Sequence, residues 1–585
     1  MPPRNRTLSK QQRSGKQSKD KKEKKVPDEA TLRKNYGNSG TEEPAVFYLT
    51  PTVAFKAIFC FRIISAIWLH ISDPDETFNY WEPSHNLLFN YGFQTWEYTP
   101  EYALKSYFYL LIHAVPAWIY YELFHPTRVL LFYFIRCFLA AICTFSELLF
   151  YKGVCREFGI HIGRMTLIIL IFSPGMFVAG TAFLPSSFCM YITFLIMASW
   201  FYKKRALAVF LSFVSVFISW SFSLLVGLPI GYEMVVLKKK RQTFLNYFLL
   251  SFLTALVPVL DTDSAYYGKL TFVSWNVLKH SFSNSANPDP FYKPWYFYLV
   301  NGFLNFNVCF VLALFTPYLV IWIQKILPKK PRNEDSYPYK LSLGVLYLWL
   351  LIFAARTAKK EQFLFPVYPL IALNAAVSID ALQVLWFKYF IKKGYHYTRS
   401  TIKLAFMIIL CYCVLGLSRM MASYKASHAT MDIFIQLSNV NKNLTGKTNV
   451  NLCIEKEWER FPSSYFLPDK WKMNFIKPPF NNEIPGYYVE DEAQMAKFIG
   501  KEKSIYVDID HCDYLIDSDN KAASKNEFLY SSHRNWTAIY SSKYLDERSP
   551  WLSRSFYIPT IWESKCNFVP FHLLKRNRFP RKKSK

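Results

Sequence analysis

The stretch Asp73-Pro74-Asp75-Glu76-Thr77-Phe78-Asn79-Tyr80-Trp81-Glu82 puts four carboxylates within ten residues, among aromatic rings. One such carboxylate can serve as a general base if it reaches the proton it removes. A pair across a bond would suit hydrolysis by water, whereas a phosphate leaving group departs without protonation and needs only the base. An Asp ahead of an apolar, aromatic run is also a good helix cap. Phe78, Tyr80, Trp81, Trp96 and Tyr98 suit sugar stacking, and they equally suit the aromatic belt of a membrane protein. Spacing alone leaves both readings open.

Two further polar groups have residue types fit for chemistry. Asp261, Asp263, Ser264, Tyr266, Tyr267, Gly268 and Lys269 follow an apolar run and read as a loop. Lysine and tyrosine hydroxyls can hold a phosphate, while two carboxylates without further ligands are weak support for a metal. The third group is Arg356-Thr357-Ala358-Lys359-Lys360-Glu361-Gln362-Phe363-Leu364-Phe365-Pro366. No Ser-His-Asp, HExxH or Walker spacing occurs. His113, His161 and His280 are isolated, and a structural role is the simpler reading for each.

These groups sit between blocks of about twenty apolar residues, each long enough to cross a bilayer. The chain has 585 residues, 52% of them hydrophobic. Spans are expected near 51–71, 165–183, 186–202, 205–221, 222–237, 243–260, 296–324, 341–357, 363–387 and 404–420, with two more candidates at 106–124 and 129–150. The acidic cluster then emerges just beyond the first span, where carboxylates are costly against lipid and make sense lining a polar cavity. Residues 1–34 hold twelve Lys/Arg against four Asp/Glu without apolar periodicity, which predicts a disordered basic cytosolic tail. No zinc spacing or RNA-binding signature accompanies that charge, so nucleic acid is not the expected partner.

The net charge of +27 gathers in certain loops. The positive-inside rule places Lys203-Lys204-Arg205, Lys238-Lys239-Lys240-Arg241, Lys325 with Lys329 and Lys330, and Lys388 with Lys392 and Lys393 in the cytosol. Loops 72–105 and 261–295 and everything after 421 then face the lumen. The third group also falls there against the rule, and its basic residues ask for an anionic partner such as a lipid-linked phosphate. If 106–124 and 129–150 both crossed, the basic loop 152–164 would be lumenal, so one of them is expected to be re-entrant or interfacial. Of eleven cysteines, Cys453, Cys512 and Cys566 lie in the lumenal part, where oxidation is possible and one bridge can form. The sequons at Asn443 and Asn535 agree with that side. The final Lys582-Lys583-Ser584-Lys585 spells a cytosolic retrieval signal, and its placement here reads as coincidence. Four regions follow: a basic tail (1–50), an N-terminal membrane module (51–241) with its lumenal loop 72–105, a second membrane module (242–420) and a lumenal domain (421–585). Segments such as Ser504-Ile505-Tyr506-Val507-Asp508-Ile509 alternate as short strands do.

Taken together, Asp75-Glu76-Thr77-Phe78-Asn79-Tyr80-Trp81-Glu82-Pro83 and Gly92-Phe93-Gln94-Thr95-Trp96-Glu97-Tyr98 resemble the first lumenal loop of dolichyl-phosphate-mannose-dependent mannosyltransferases of the GT-C superfamily. Ser173-Pro174-Gly175-Met176-Phe177, Phe183-Leu184-Pro185-Ser186-Ser187, Lys293-Pro294-Trp295-Tyr296-Phe297-Tyr298 and Phe363-Leu364-Phe365-Pro366-Val367-Tyr368-Pro369 add to the likeness, which covers about residues 50–420. It is nearest to the α-1,2-mannosyltransferases of asparagine-linked glycosylation. The resemblance implies a polytopic GT-C-type enzyme of the endoplasmic reticulum membrane; with the apolar blocks and the alternating segments after 421, the expected fold is a mostly α bundle of eleven or twelve spans with a C-terminal mixed α/β lumenal domain. It implies transfer of mannose from dolichyl phosphate mannose to a dolichyl-diphosphate-linked oligosaccharide, with inversion and without a required metal or other cofactor.

The family's acidic pair falls on Asp75 and Glu76, with Asp75 favoured as base. Donor and acceptor contacts are expected from Glu82, Trp96, Tyr266, Tyr267, Lys269, Arg356, Lys359 and Glu361. The family's His-Lys-Glu-Glu-Arg stretch falls on residues 358–362, where this chain departs at Ala358, Lys360 and Gln362; Lys359 or Lys360 is then left to meet the donor phosphate. The rivals are a mannosyltransferase of the glycosylphosphatidylinositol type and a transporter without bond chemistry. A transporter would pair charges deep within spans. Arg136 and Glu147 share one predicted span but lie about 16 Å apart along it and cannot pair directly.

Overall fold

The computed structural model describes residues 50–283, 293–326, 337–356, 359–391, 397–442, 449–477, 506–520 and 528–577. The basic tail up to residue 49, Ala358, the Asn443 sequon, Ser504-Ile505 and the terminal lysines lie outside the described residues. Among the described residues, six helices are long and apolar enough to cross a membrane: 51–68, 128–157, 241–267, 297–325, 361–390 and 400–442. Five shorter apolar helices, at 160–171, 185–201, 205–219, 221–237 and 340–355, join them. The eleven agree with the expected polytopic bundle.

Local chemistry sets the helix ends. Thr50 accepts from the Val53 amide and Pro51 occupies the first helical position of Pro51–Trp68, where a missing N–H costs nothing. Thr127 caps Arg128–Glu157 in the same way. Helix Tyr107–Phe124 lacks the composition of a span, and both its ends lie beside the acidic loop. Its start follows Lys105, whose ammonium lies over the Tyr80 ring. At its other end Tyr121 packs on Phe89, and the following Arg128 pairs with Asp469 at 3.0 Å. The helix therefore runs along one face of the bundle, with Val115, Trp118, Ile119, Leu123 and Phe124 exposed, and the conflict over loop 152–164 disappears.

Helix Arg241–Tyr267 continues seven residues beyond the expected end at 260 and stops at Gly268, whose φ of 68° forms a left-handed cap. Asp261, Asp263, Tyr266 and Tyr267 thus stand on its last turns, not in a loop. Polar residues at a helix end that meets other protein are sheltered from lipid, so loss of hydropathy does not mark the end of the helix. Helix Tyr397–Lys442 likewise runs through residue 421. Its 46 residues make about 69 Å, more than twice the ~30 Å hydrocarbon thickness, so its second half stands clear of the bilayer and carries the C-terminal domain.

That domain holds a five-stranded sheet of β1 (Val450–Ile454), β2 (Trp471–Phe475), β3 (Tyr514–Ser518), β4 (Trp536–Leu545) and β5 (Phe568–Arg576), in the order β2-β1-β3-β5-β4. β1 pairs in parallel with β2 and β3, and β5 runs antiparallel to β3 and β4. In the described part of the alternating stretch, Tyr506 forms an isolated bridge to Phe475 before a turn at Ile509–His511. Cys453 in β1 is bridged to Cys512 just before β3, closing a separation of 59 residues, and Cys566 is buried and unbridged. Replacing both bridged cysteines with serine is expected to cost about 2–5 kcal/mol of domain stability, measured as a fall in the thermal midpoint that reducing agent reproduces in the unaltered protein.

Candidate active site

The acidic loop is built from short, tightly capped pieces. Asp73 accepts from the Asp75 amide at 3.0 Å and starts the single turn Pro74–Glu76. A π-helical turn, Thr77–Trp81, follows, and then helix Glu82–Phe89 ends on Asn90 in the left-handed region. Isolated π turns re-aim side chains and recur at functional sites. Gly92 is required next: a Cβ there would come within 2.8 Å of the Glu82 carbonyl.

The C-terminal domain clamps this loop from nearly 400 residues away. Glu82 is 1% exposed and accepts from the Ser463 and Ser464 hydroxyls and from the Ser464 and Phe93 amides. Thr77 donates to the Phe461 and Pro462 carbonyls, and Ser84 meets the Tyr465 hydroxyl. Burial raises the Glu82 carboxyl, and these donors oppose the rise. Glu82 is thereby occupied in holding two segments together, away from the open cavity.

That cavity, of about 260 Å³, is lined by Asp75, Tyr80, Glu97, Lys105, Ser186, Trp220, His280, Lys360 and Gln362 among others. A smaller annex beside Val216, Phe217, Ile218 and Val273 shares Tyr80, Lys105 and Trp220 with it. The half-buried Asp75 carboxylate makes an ion pair with Lys360 and accepts from Gln362 Nε2 at 3.3 Å; the same amide donates to Asp73 at 3.1 Å. Lys105 pairs with Glu97 at 3.3 Å and reaches the Tyr80 hydroxyl at 3.4 Å. Burial opposes ionisation of Asp75, but the Lys360 and Lys105 ammonium groups outweigh it and hold that carboxyl below the ordinary range. Burial, and then the neighbouring Asp75 charge, push Asp73 up to about 7. The cavity thus presents the ionised Asp75 carboxylate between two ammonium groups, an arrangement suited to a hydroxyl nucleophile and an anionic leaving group. Among the described residues no group of three or more His, Cys, Asp or Glu is placed to hold a metal ion.

The sequence candidates separate in space. Asp75 lines the cavity, whereas Glu76 is 4% exposed and its Oε1 accepts from Trp81 Nε1 at 2.9 Å and the Phe183 amide at 3.0 Å. Trp96 packs between Tyr102 and His280 at the rim. Tyr267 donates to the Lys105 carbonyl at 2.6 Å, and Tyr266 stacks on Tyr107. Lys269 is exposed beyond them. Arg356 lies over the Phe222 ring at 4.8 Å. Lys359 is buried with its ammonium on the Lys293 and Arg356 carbonyls. Glu361 accepts from Asn305 at 2.9 Å. None of these eight binding candidates lines the cavity. Its charged members outside the candidate set are Glu97, Lys105 and Lys360, and the His280 ring also lines it. Lys105 ends the acidic loop and carries no spacing signal, whereas Lys360 belongs to the basic group that breaks the positive-inside rule and to the stretch that departs from the family pattern.

Charges do pair deep among the spans, but in a closed setting. Arg62 and Glu147 are both fully buried and 2.7 Å apart, and the remaining Arg62 donors meet the Leu170 and Met176 carbonyls. Arg136 bonds to the Leu69 carbonyl at 2.5 Å and to Thr181. These contacts join helices, and among these guanidinium donors Arg136 Nε is buried without a hydrogen-bond partner.

Comparison with known proteins agrees with this architecture. The model of the Alg9-like mannosyltransferase family matches residues 53–468. The α-1,2-mannosyltransferase Alg9 of Drosophila melanogaster is 38% identical, covering 94% of this chain and 92% of its own. The enzyme named α-1,2-mannosyltransferase ALG9 in Mus musculus is 40% identical over 92% of this chain and 90% of its own. The crystal structure of ArnT from Cupriavidus metallidurans bound to undecaprenyl phosphate shares the fold with a TM-score of 0.53, at 13% identity, over 80% of this chain and 93% of that one. On the family match and on relatives that run the length of the chain, this protein belongs to the Alg9-like mannosyltransferase family.

Proposed function

We propose that the protein transfers mannose from dolichyl phosphate mannose, in α-1,2 linkage, to a dolichyl-diphosphate-linked oligosaccharide at the lumenal face of the endoplasmic reticulum membrane. The observation that carries this reading is the convergence of Asp75, Lys360 and Lys105 on one cavity at the membrane edge. In the proposed step the Asp75 carboxylate takes the proton of the acceptor hydroxyl as its oxygen attacks C1 of the mannosyl group. The C1–O bond to phosphate breaks, its electron pair leaves with the phosphate, and a β-linked donor becomes an α-linked product. Lys360 and Lys105 meet the charge on the departing group, so the step as written calls on no metal. As the donor phosphate engages Lys360, that ammonium is drawn from Asp75, which becomes a better base.

Several features support the lumenal side. Ser186 lines the cavity near the start of helix Pro185–Phe201; about 26 Å along that helix lies the basic turn Lys203-Lys204-Arg205. The next pair of helices returns to the cavity at Trp220 and leaves again toward Lys238-Lys239-Lys240. The basic loops therefore gather at the end remote from the site, as the positive-inside rule requires of cytosolic loops. The Cys453–Cys512 bridge, in the domain that clamps the acidic loop, suits an oxidising compartment.

The direct test is to incubate the purified protein in nanodiscs with labelled dolichyl phosphate mannose and a panel of lipid-linked acceptors. Label released by an α-1,2-specific mannosidase from a dolichyl-diphosphate oligosaccharide is the expected result. Transfer only to a glycosylphosphatidylinositol acceptor, or to none, would overturn the reading. Lys360→Gln provides a second check. Removing the ammonium that depresses Asp75 lets burial raise its carboxyl, so the acid limb of the pH–rate profile should move to higher pH and the KM for donor should rise. An unmoved acid limb would separate Lys360 from the base.

A further inference from the structure

Helix Tyr397–Lys442 crosses the membrane in its first half, where Phe406, Met407, Leu410, Val414 and Leu417 are exposed to lipid. The apolar run ends at Met420-Met421. At that level Tyr424 packs against Trp68, the last residue of the first span, with ring centroids 5.4 Å apart. Aromatic rings at the ends of two spans mark the depth of the lipid headgroups.

The segment between β4 and β5 docks at that same depth. The Tyr557 amide donates to the Ser418 carbonyl at 3.2 Å, and the Ser418 hydroxyl returns a bond to the Tyr557 carbonyl at 2.9 Å. Arg419 donates to the Ser555 carbonyl at 3.1 Å, and the Lys425 ammonium lies 4.5 Å from the Tyr557 ring centroid and 3.7 Å from Glu563. Held at this level, Trp551, Leu552, Ile558 and Ile561 are 66, 55, 48 and 50% exposed. Among the described residues beyond 421, only Ile435 on the carrying helix, Phe528 and Ile539 also expose a large apolar side chain. Four such side chains within eleven residues, continuous with the lipid-facing surface of a span, fit the interface of a bilayer.

We propose that residues 551–561 are a membrane-inserting wedge, placing Trp551, Leu552, Ile558 and Ile561 among the lipid headgroups and seating the C-terminal domain on the bilayer. The wedge fixes the domain at two points, the helix that carries it and the membrane beside that helix. Because the 458–466 loop of this domain grips the acidic loop, seating the domain also limits movement of the cavity wall. The partner is the lipid surface itself.

The test compares single cysteines in the full-length protein, one copy per phosphatidylcholine nanodisc. Leu552→Cys and Ile558→Cys report on the wedge. Phe528→Cys is the control; it lies near Trp536 at the far end of β4, a ten-residue strand of about 33 Å. Modification by a charged, membrane-impermeant maleimide is read peptide by peptide by mass spectrometry. Both wedge positions should react at least about tenfold more slowly than position 528, the protection expected of side chains in the headgroup region. A fluorophore placed at either should be quenched by headgroup-labelled nitroxide lipid. Equal reaction rates overturn the proposal. Slow reaction without quenching also overturns it, because the segment is then covered by protein instead of lipid.

Discussion

Asp75→Asn is expected to lower mannose transfer by about 10²–10⁴-fold, the usual contribution of a positioned general base, without unfolding the protein. The substitution removes a charge from a half-buried side chain, and an asparagine oxygen can still accept from Gln362. Lys360, itself 47% exposed, can turn its freed ammonium to water, so little stability is lost. Glu76→Gln is the informative contrast. Its Oε1 serves the Trp81 ring N–H and the Phe183 amide, and a glutamine oxygen can accept both while being useless as a base. That variant should retain turnover within a few-fold of the unaltered protein. The measurement is single-turnover transfer from labelled donor together with the thermal midpoint of each variant. Normal turnover in Asp75→Asn would remove Asp75 from the mechanism, and loss confined to Glu76→Gln would assign the base to its neighbour.

Much of the scaffold is legible in the sequence, because apolar blocks of bilayer length declare themselves and acidic residues at the end of one are conspicuous. Loss of hydropathy after residue 421 marks where the apolar spans end, and short alternating segments beyond it point to strands. What stayed hidden depended on contacts across long separations. Nothing near Glu82 in sequence reveals that Ser463 and Ser464, about 380 residues on, satisfy its carboxylate. Hydropathy cannot distinguish a polar helix end packed on protein from a loop, which is why Asp261 to Tyr267 seemed to follow the helix instead of ending it. Lys105 carried no motif, and only the fold brings it to the cavity that holds Lys360. Glu76 shows the converse: adjacency to Asp75 suggested a shared role, while successive residues of a single turn point in different directions.

The acidic loop therefore depends on two supports, and they fail differently. Contacts from the C-terminal domain hold its outer side through Glu82, Thr77 and Ser84. Its inner side rests on the membrane bundle through the Phe183 amide, which donates to Glu76, and through the Trp81 ring, which packs on Phe132 with centroids 4.2 Å apart. Helix Arg128–Glu157, which supplies Phe132, also carries Glu147. The integrity of that helix thus links the depth of the membrane to the geometry of the site.

The largest loss of stability is expected from breaking the ion pair between Arg62 and Glu147. Glu147→Met leaves a guanidinium fully enclosed among helices without its counter-charge, a change that typically costs about 3–5 kcal/mol. Arg62 cannot escape to water, since it is wholly buried and its Nη atoms are engaged by the Leu170 and Met176 carbonyls. Those carbonyls lie near the break between helices Ile160–Ile171 and Pro174–Ala179, where the backbone ladder is interrupted. The double variant Arg62→Met with Glu147→Met removes the stranded charge and should regain part of the loss. It should still fall short of the unaltered protein, because the Leu170 carbonyl loses its Arg62 donor at a cost of about 1–3 kcal/mol, whereas the Met176 carbonyl keeps the Gly180 amide at 2.9 Å. The ordering of thermal midpoints in nanodiscs, unaltered above double above Glu147→Met, is the expected result. Because the pair lines no part of the cavity, the folded fraction of each variant should turn over donor at the unaltered rate. A Glu147→Met protein as stable as its parent would mean that the arginine is satisfied by the carbonyls alone and that the carboxylate contributes nothing to holding the bundle.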